Sequence, residues 1–238
     1  MVRILLALSL PPILAGYSLA IVFLLDLDKG FGQYLLLIPL VYILGSIPWG
    51  YMITKVRQGV DIRTYGSGGI GTSNVLRTAG PRLATFVLIL DWSKGVLAIL
   101  LARAITDSAV AEMAAGLVAL AGHNWSPFLG FKGGRGIATG GGSVLLISPI
   151  ALGIGILVFA GVTLTTRYLS LGSLIGLTTV FVVIVIQVAT SDFSHSYLIF
   201  SGVGSLMIFW QHQDNIRRLL RGEENRLGQP AKSLSEQA

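Results

Sequence analysis

Long apolar runs separated by short polar loops set the pattern of this chain. Residues 4–25 carry no charge and are long enough to span a bilayer, with Pro11 and Pro12 predicting a kink. Arg3 ahead of this run also suits a cleaved secretory signal, but the run exceeds the usual apolar core of such signals, so a retained helix is expected. Further runs cover about 33–54, 83–105, 109–121, 137–166, a stretch ending near 189, and about 197–210. The run at 137–166 can be one long helix, or two short helices that turn back at Ser148-Pro149. A single span would put Arg167 and the basic tail on the side opposite Lys132. A hairpin keeps every basic loop on one side, as the positive-inside rule favours. The hairpin gives eight membrane segments, several of them short, with both termini in the cytoplasm. Residues 211–224 hold too few apolar positions to span and predict a basic interfacial helix. Residues after about 228 are expected to be disordered.

Composition agrees with this pattern. Of 238 residues, 53% are hydrophobic and only 12% charged, against about 25% charged in soluble domains. The fold expected is an all-α polytopic membrane protein with little left for a soluble domain. The net charge of +6 comes from cations clustered beside apolar runs, so nucleic acid is not needed to explain it. Cysteine is absent, which excludes disulfides, a thiol nucleophile and a cysteine metal site. No internal repeat is visible.

The chemistry concentrates in loops between the runs. Gly122 to Gly136 places His123, Lys132 and Arg135 among five glycines. Glycines let successive N–H groups face one way, and such a nest beside two cations suits a phosphate. The following 137–142 segment predicts a helix start aimed at the same place. Tyr65 to Arg77 forms a second Gly/Ser/Thr/Asn nest that ends in an arginine. Asp91 and Lys94 sit i, i+3 apart within a predicted span, as an ion pair or as part of a site. His195 falls in a small loop on the other side and is given no role. The loops at 55–82, 122–136, 166–173 and 211–224 converge on one face. Their carboxylates are too few and too scattered for a magnesium or zinc site. Several cations beside a bilayer suit group transfer between a phosphorylated water-soluble molecule and a lipid. A transporter or flippase for a phosphorylated molecule is the alternative, and it would place its motifs near mid-membrane in paired repeats.

Three blocks make the resemblance specific. The first is Gly45-Ser-Ile-Pro-Trp-Gly50 with Asp61-Ile-Arg63 and Gly66-Ser-Gly-Gly-Ile-Gly-Thr-Ser-Asn-Val-Leu-Arg77. The second is Gly122-His-Asn-Trp125 through Phe131-Lys-Gly-Gly-Arg-Gly-Ile-Ala-Thr139. The third is His212 with Asn215-Ile-Arg-Arg-Leu-Leu-Arg-Gly-Glu-Glu224. Asp91-x-x-Lys94-Gly95 and Arg167-Tyr-x-Ser-Leu171 also fit. In these the chain resembles the bacterial membrane acyl-phosphate:glycerol-3-phosphate acyltransferase family over about residues 33–228.

The resemblance implies seven family membrane segments, here behind an extra N-terminal helix and loop in residues 1–32, with residues 229–238 as a tail. It implies transfer of a fatty acyl group from acyl phosphate to the 1-hydroxyl of glycerol 3-phosphate. Lysophosphatidic acid and inorganic phosphate are the products, with no cofactor or metal, in the first steps of phospholipid synthesis. Motifs are expected on the cytoplasmic face of the cell membrane. Catalytic parts fall to His123, Lys132, Arg135, His212 and Asn215. Substrate or phosphate binding falls to Ser67, Asn74, Arg77, Gly133, Gly134, Gly136, Thr139, Ser170, Arg218 and Glu224. The base for the attacking hydroxyl stays open between His123, His212 and a substrate phosphate. The chain departs from the usual pattern at Gly69, where the family has Asn, at Thr72-Ser73, at Arg135 in place of Lys, and at Ser126-Pro127.

Overall fold

The structure, a computed structural model, describes residues 29–229. The expected N-terminal span and most of the tail lie outside the described residues. The described residues form helices joined by loops and two short 3-10 turns. Helix α1 (Lys29–Ser46) breaks at Ile47-Pro48, because proline removes a helical donor, and α2 (Trp49–Gln58) continues beyond it. A 3-10 turn, Ile62–Thr64, leads to the short helix α3 (Thr72–Ala79). Then follow α4 (Pro81–Thr106), α5 (Ala109–Asn124), α6 (Ile137–Ile147), α7 (Pro149–Thr166), α8 (Leu169–Thr190), α9 (His195–Gln211) and α10 (Gln213–Arg221). Among the described residues, four stretches are long and apolar enough to cross a membrane: Gly30–Gln58, Pro81–Thr106, Pro149–Thr166 and Leu169–Thr190.

Small residues bring the helix backbones together. A Cβ on Gly45 of α1 would collide with the Ala119 carbonyl of α5, and one on Gly95 of α4 with the Thr139 carbonyl of α6. In an apolar solvent such close approach, with hydrogen bonds between helices, takes over the role that burial plays in water. Leu37, Val41, Ala98, Ala102, Ala111, Ala115 and Ala119 seal the α1–α4–α5 contact.

The α6–α7 segment is a hairpin, as the charge pattern predicts. Ser148 ends α6 and starts α7, its Oγ accepting from the Ala151 N–H at 3.1 Å. Pro149 takes the first helical turn, where its missing N–H costs nothing. At the tip, the Ser148 hydroxyl donates to Gln187 Oε1 at 2.7 Å, near the end of α8. Helix α7 then runs back, and Arg167 reaches the segment after α10, where the Leu227 N–H donates to its carbonyl at 2.6 Å. The loops holding Arg77, Arg135, Arg167 and Arg218 therefore share one end of the bundle.

Candidate active site

At that end lies a cavity of about 600 Å³. Its head is polar, lined by Ser67, Thr72, Arg77, Arg135, His212, Asn215 and Glu224. Its body is apolar, running between Leu88 and Trp92 of α4 and Leu152, Ile156 and Phe159 of α7.

Glu224 organises the head. Its Oε1 accepts from Ser170 Oγ at 3.0 Å and Asn215 Nδ2 at 2.8 Å, and its Oε2 from Arg218 Nε at 2.8 Å. One buried carboxylate thus ties α8 to α10, and its charge faces Arg77, Arg135 and Arg218. Loss of solvent, followed by repulsion from Arg218, lowers the Arg135 guanidinium to about 10, while Glu224 opposes the shift. Burial likewise lowers Arg77. Three arginines around one carboxylate leave excess positive charge, and among the described residues the donors Ser67 Oγ, Thr72 Oγ1, Arg77 Nε and Arg218 Nη2 are buried without partners. Unpartnered donors beside uncompensated cations make a candidate anion site.

The structure redistributes the expected roles. The Gly133 N–H donates to the Asn124 carbonyl at 3.0 Å and the Gly134 N–H to the His123 carbonyl at 2.9 Å. These two groups are committed to the end of α5 and do not form the expected nest. Gly136, with φ +85°, caps α6, whose first-turn N–H groups follow Arg135 directly. The candidate anion-binding element is thus Arg135 with a helix N-terminus. Lys132 is exposed and does not line the cavity. The Thr139 hydroxyl donates to the Asp91 carbonyl at 3.1 Å and packs α6 on α4 instead of facing a phosphate. Asn74 lines the cavity but serves its own loop: Nδ2 donates to the Ile62, Tyr65 and Gly69 carbonyls, and Oδ1 accepts from the Ser67 N–H. Arg218 stands behind Glu224 rather than at the cavity wall. Arg63 pairs with Asp61 and stacks on Tyr51 outside the cavity. That pairing holds the Asp61 carboxyl below its usual range.

The histidines separate. His212 Nδ1 lies 2.8 Å from the Ile208 carbonyl, which can only accept, so Nδ1 carries the proton and Nε2 keeps a lone pair. Burial and then Arg135 bring His212 down to about 4, so it is neutral near pH 7. His123 has no such freedom. It lines the cavity, but its Nδ1 faces Lys94 Nζ at 3.3 Å and its Nε2 abuts Gly134, which leaves His212 better placed of the two candidates for the base. Thr72, Ser73 and Trp92 also line the cavity without having been named as site residues, and so does Asp91, which the sequence left open between an ion pair and part of a site. The i, i+3 and i+4 spacing of Leu88, Asp91 and Trp92 on α4 is the sequence signal that could have placed Trp92 beside Asp91.

A membrane-embedded helical protein, with a cationic head pocket opening into an apolar corridor, belongs to the class that transfers groups between a polar phosphorylated compound and a lipid. Comparison gives the family. The model described as "Glycerol-3-phosphate acyltransferase" matches residues 35–222. A protein of that name from Desulforamulus reducens (strain ATCC BAA-1160 / DSM 100696 / MI-1) is 42% identical over 188 residues, 79% of this chain and 92% of its own. One from Synechococcus sp. (strain CC9902) is 43% identical over 201 residues, 84% of this chain and 98% of its own. The crystal structure of PlsY, an integral membrane glycerol 3-phosphate acyltransferase in its glycerol 3-phosphate form, aligns with a TM-score of 0.75. It is 36% identical, over 82% of this chain and 95% of that one. Its lysophosphatidic acid form aligns with a TM-score of 0.73. The chain belongs to the glycerol-3-phosphate acyltransferase family.

Proposed function

We propose that the protein transfers a fatty acyl group from acyl phosphate to the 1-hydroxyl of glycerol 3-phosphate. The observation that carries this reading is Arg135 at the N-terminus of α6, set at the head of the apolar corridor. The acyl chain lies in the corridor, and the two phosphates share the Arg77–Arg135 head. The hydroxyl oxygen attacks the acyl carbon, an ester bond forms, and the bond from that carbon to the phosphate oxygen breaks. His212 Nε2 accepts the hydroxyl proton, and the departing phosphate takes it up. Lysophosphatidic acid and inorganic phosphate leave in equal amounts. The donor is already activated, so positioning and charge stabilisation supply most of the rate, and no cofactor enters the chemistry.

The catalytic unit spans residues 33–228. Its seven membrane segments are α1, α4, α5, α6, α7, α8 and α9, with the run at 4–25 as an added N-terminal one. It lies in the cell membrane with the basic end in the cytoplasm, where glycerol 3-phosphate is available. Lys/Arg clustering at that end supports the orientation.

Two substitutions on one loop test the reading. Arg135→Ala should lower turnover about 10²–10³-fold, the usual loss when a preorganised charge donor is removed. Lys132→Ala should stay within about threefold, because an exposed charge contributes little. Both are assayed with palmitoyl phosphate and glycerol 3-phosphate on purified, folded protein. Equal losses in the two variants, or none in Arg135→Ala, would reject this site.

A further inference from the structure

Beside the cavity lies a chain of buried ionisable groups to which the transfer chemistry above gives no part, and two of them, Asp91 and His123, line its wall. Asp91 and Lys94 of α4 pair at 2.6 Å with side chains 2% and 1% exposed. Lys94 Nζ also lies 3.3 Å from His123 Nδ1 on α5, whereas Asp91 Oδ1 is 3.7 Å from that nitrogen, beyond a hydrogen bond. An ammonium this close to a carboxylate has only donors to offer. His123 Nδ1 is therefore the acceptor, and the imidazole proton sits on Nε2. That edge of the ring packs against Gly134: a Cβ there would lie 2.1 Å from Nε2 and 2.9 Å from each of the two ring carbons flanking it. The ring thus packs under Gly134, the residue before Arg135. The same turn is tied from its N–H groups to the His123 and Asn124 carbonyls.

We infer that Asp91 and Lys94 are positioning residues of the acyl-transfer site. Acting through His123, they hold the imidazole as its Nε2–H tautomer and prop the Gly133–Gly134 turn that aims Arg135 into the cavity. A buried ion pair is poor evidence for stability, since neutral replacements of similar volume often do as well. Its retention at membrane depth points to placement instead. A chain of contacts from α4 through α5 to the turn lets one rigid helix set where the guanidinium stands. Displacement of a reacting group by about 1 Å can cost about 10²-fold in rate.

The inference rests on the proposed transferase reading only for its assay, and wild-type activity is the control for that reading. The test is the paired neutral variant Asp91→Asn/Lys94→Met in the full chain, purified in detergent. Its melting temperature should stay near that of wild type while kcat falls about 10–100-fold. In that background Arg135→Ala should add little further loss, because the guanidinium is already misplaced; interacting residues are not additive. Unchanged kcat, or a full additional loss from Arg135→Ala, would overturn the inference. If the double variant fails to fold, wild type decides. Histidine-selective ¹⁵N NMR, with His123 assigned by substitution of His195 and His212, should show a single Nε2–H tautomer. A proton on Nδ1 would overturn the inference.

Discussion

At the residue scale, the sequence names side chains but not the direction in which donors point. Gly133 and Gly134 read as a phosphate nest because glycine permits one; in the fold their N–H groups serve α5. Asn74 and Thr139 read as substrate ligands and instead organise backbone. Ser67, Arg77, Arg135, His212 and Asn215, singled out in the sequence as polar or cationic groups in an apolar chain, all line the cavity. His212 yields a pH prediction. Its folded value is about 4 against 6.5 ordinarily, so the unfolded chain binds more protons between those values. Stability is then full above about pH 6.5 and declines as pH falls toward about 4, by up to about 3 kcal/mol for this group. His212→Asn should flatten that decline in detergent melting curves recorded against pH. An equally steep decline in the variant would show that His212 is not the source.

At the element scale, the hairpin was legible because Ser148-Pro149 marks a break and the cations choose a side. The helix α3 was not. Thr72–Ala79 is eight residues between glycines, and its burial comes from Asn74 and Val75 packing under the loop rather than from an apolar period. The close contact of α4 with α6 was equally hidden, because a glycine shows its packing role only when a neighbour's backbone is seen against it. Gly95 makes that contact testable. Gly95→Val would drive α6 away from α4 and carry the α6 N-terminus with it. The expected loss is at least about 3 kcal/mol in stability, the range of severe overpacking, together with nearly all turnover. Gly153, with open space around it, is the control: Gly153→Ala should leave melting and turnover near wild type. Similar melting temperatures for Gly95→Val and Gly153→Ala would contradict the packing.

At the scale of the molecule, the account places every catalytic loop at one end of the bundle and the short Asp107 and Asp192 loops at the other. The natural chain has no cysteine, so single cysteines report orientation without background. Cysteines at Lys132, Arg167 and Arg221 should all be shielded from an impermeant thiol reagent in intact cells, and those at Asp107 and Asp192 should react. Labelling at Arg167 together with Asp107 would return α6–α7 to a single span. Fold and family were legible over most of the chain, because apolar runs and ordered motifs survive in sequence. What the fold added was the meeting of three arginines around Glu224 at the mouth of an apolar corridor, assembled from segments far apart in the chain.

The most direct measurement uses purified full-length protein with palmitoyl phosphate and glycerol 3-phosphate, without added metal, following inorganic phosphate and lysophosphatidic acid together. The account predicts the two products in equal amounts, with no transfer when palmitoyl-CoA replaces the acyl phosphate. Phosphate release without lysophosphatidic acid, or transfer from the thioester at a comparable rate, would contradict it.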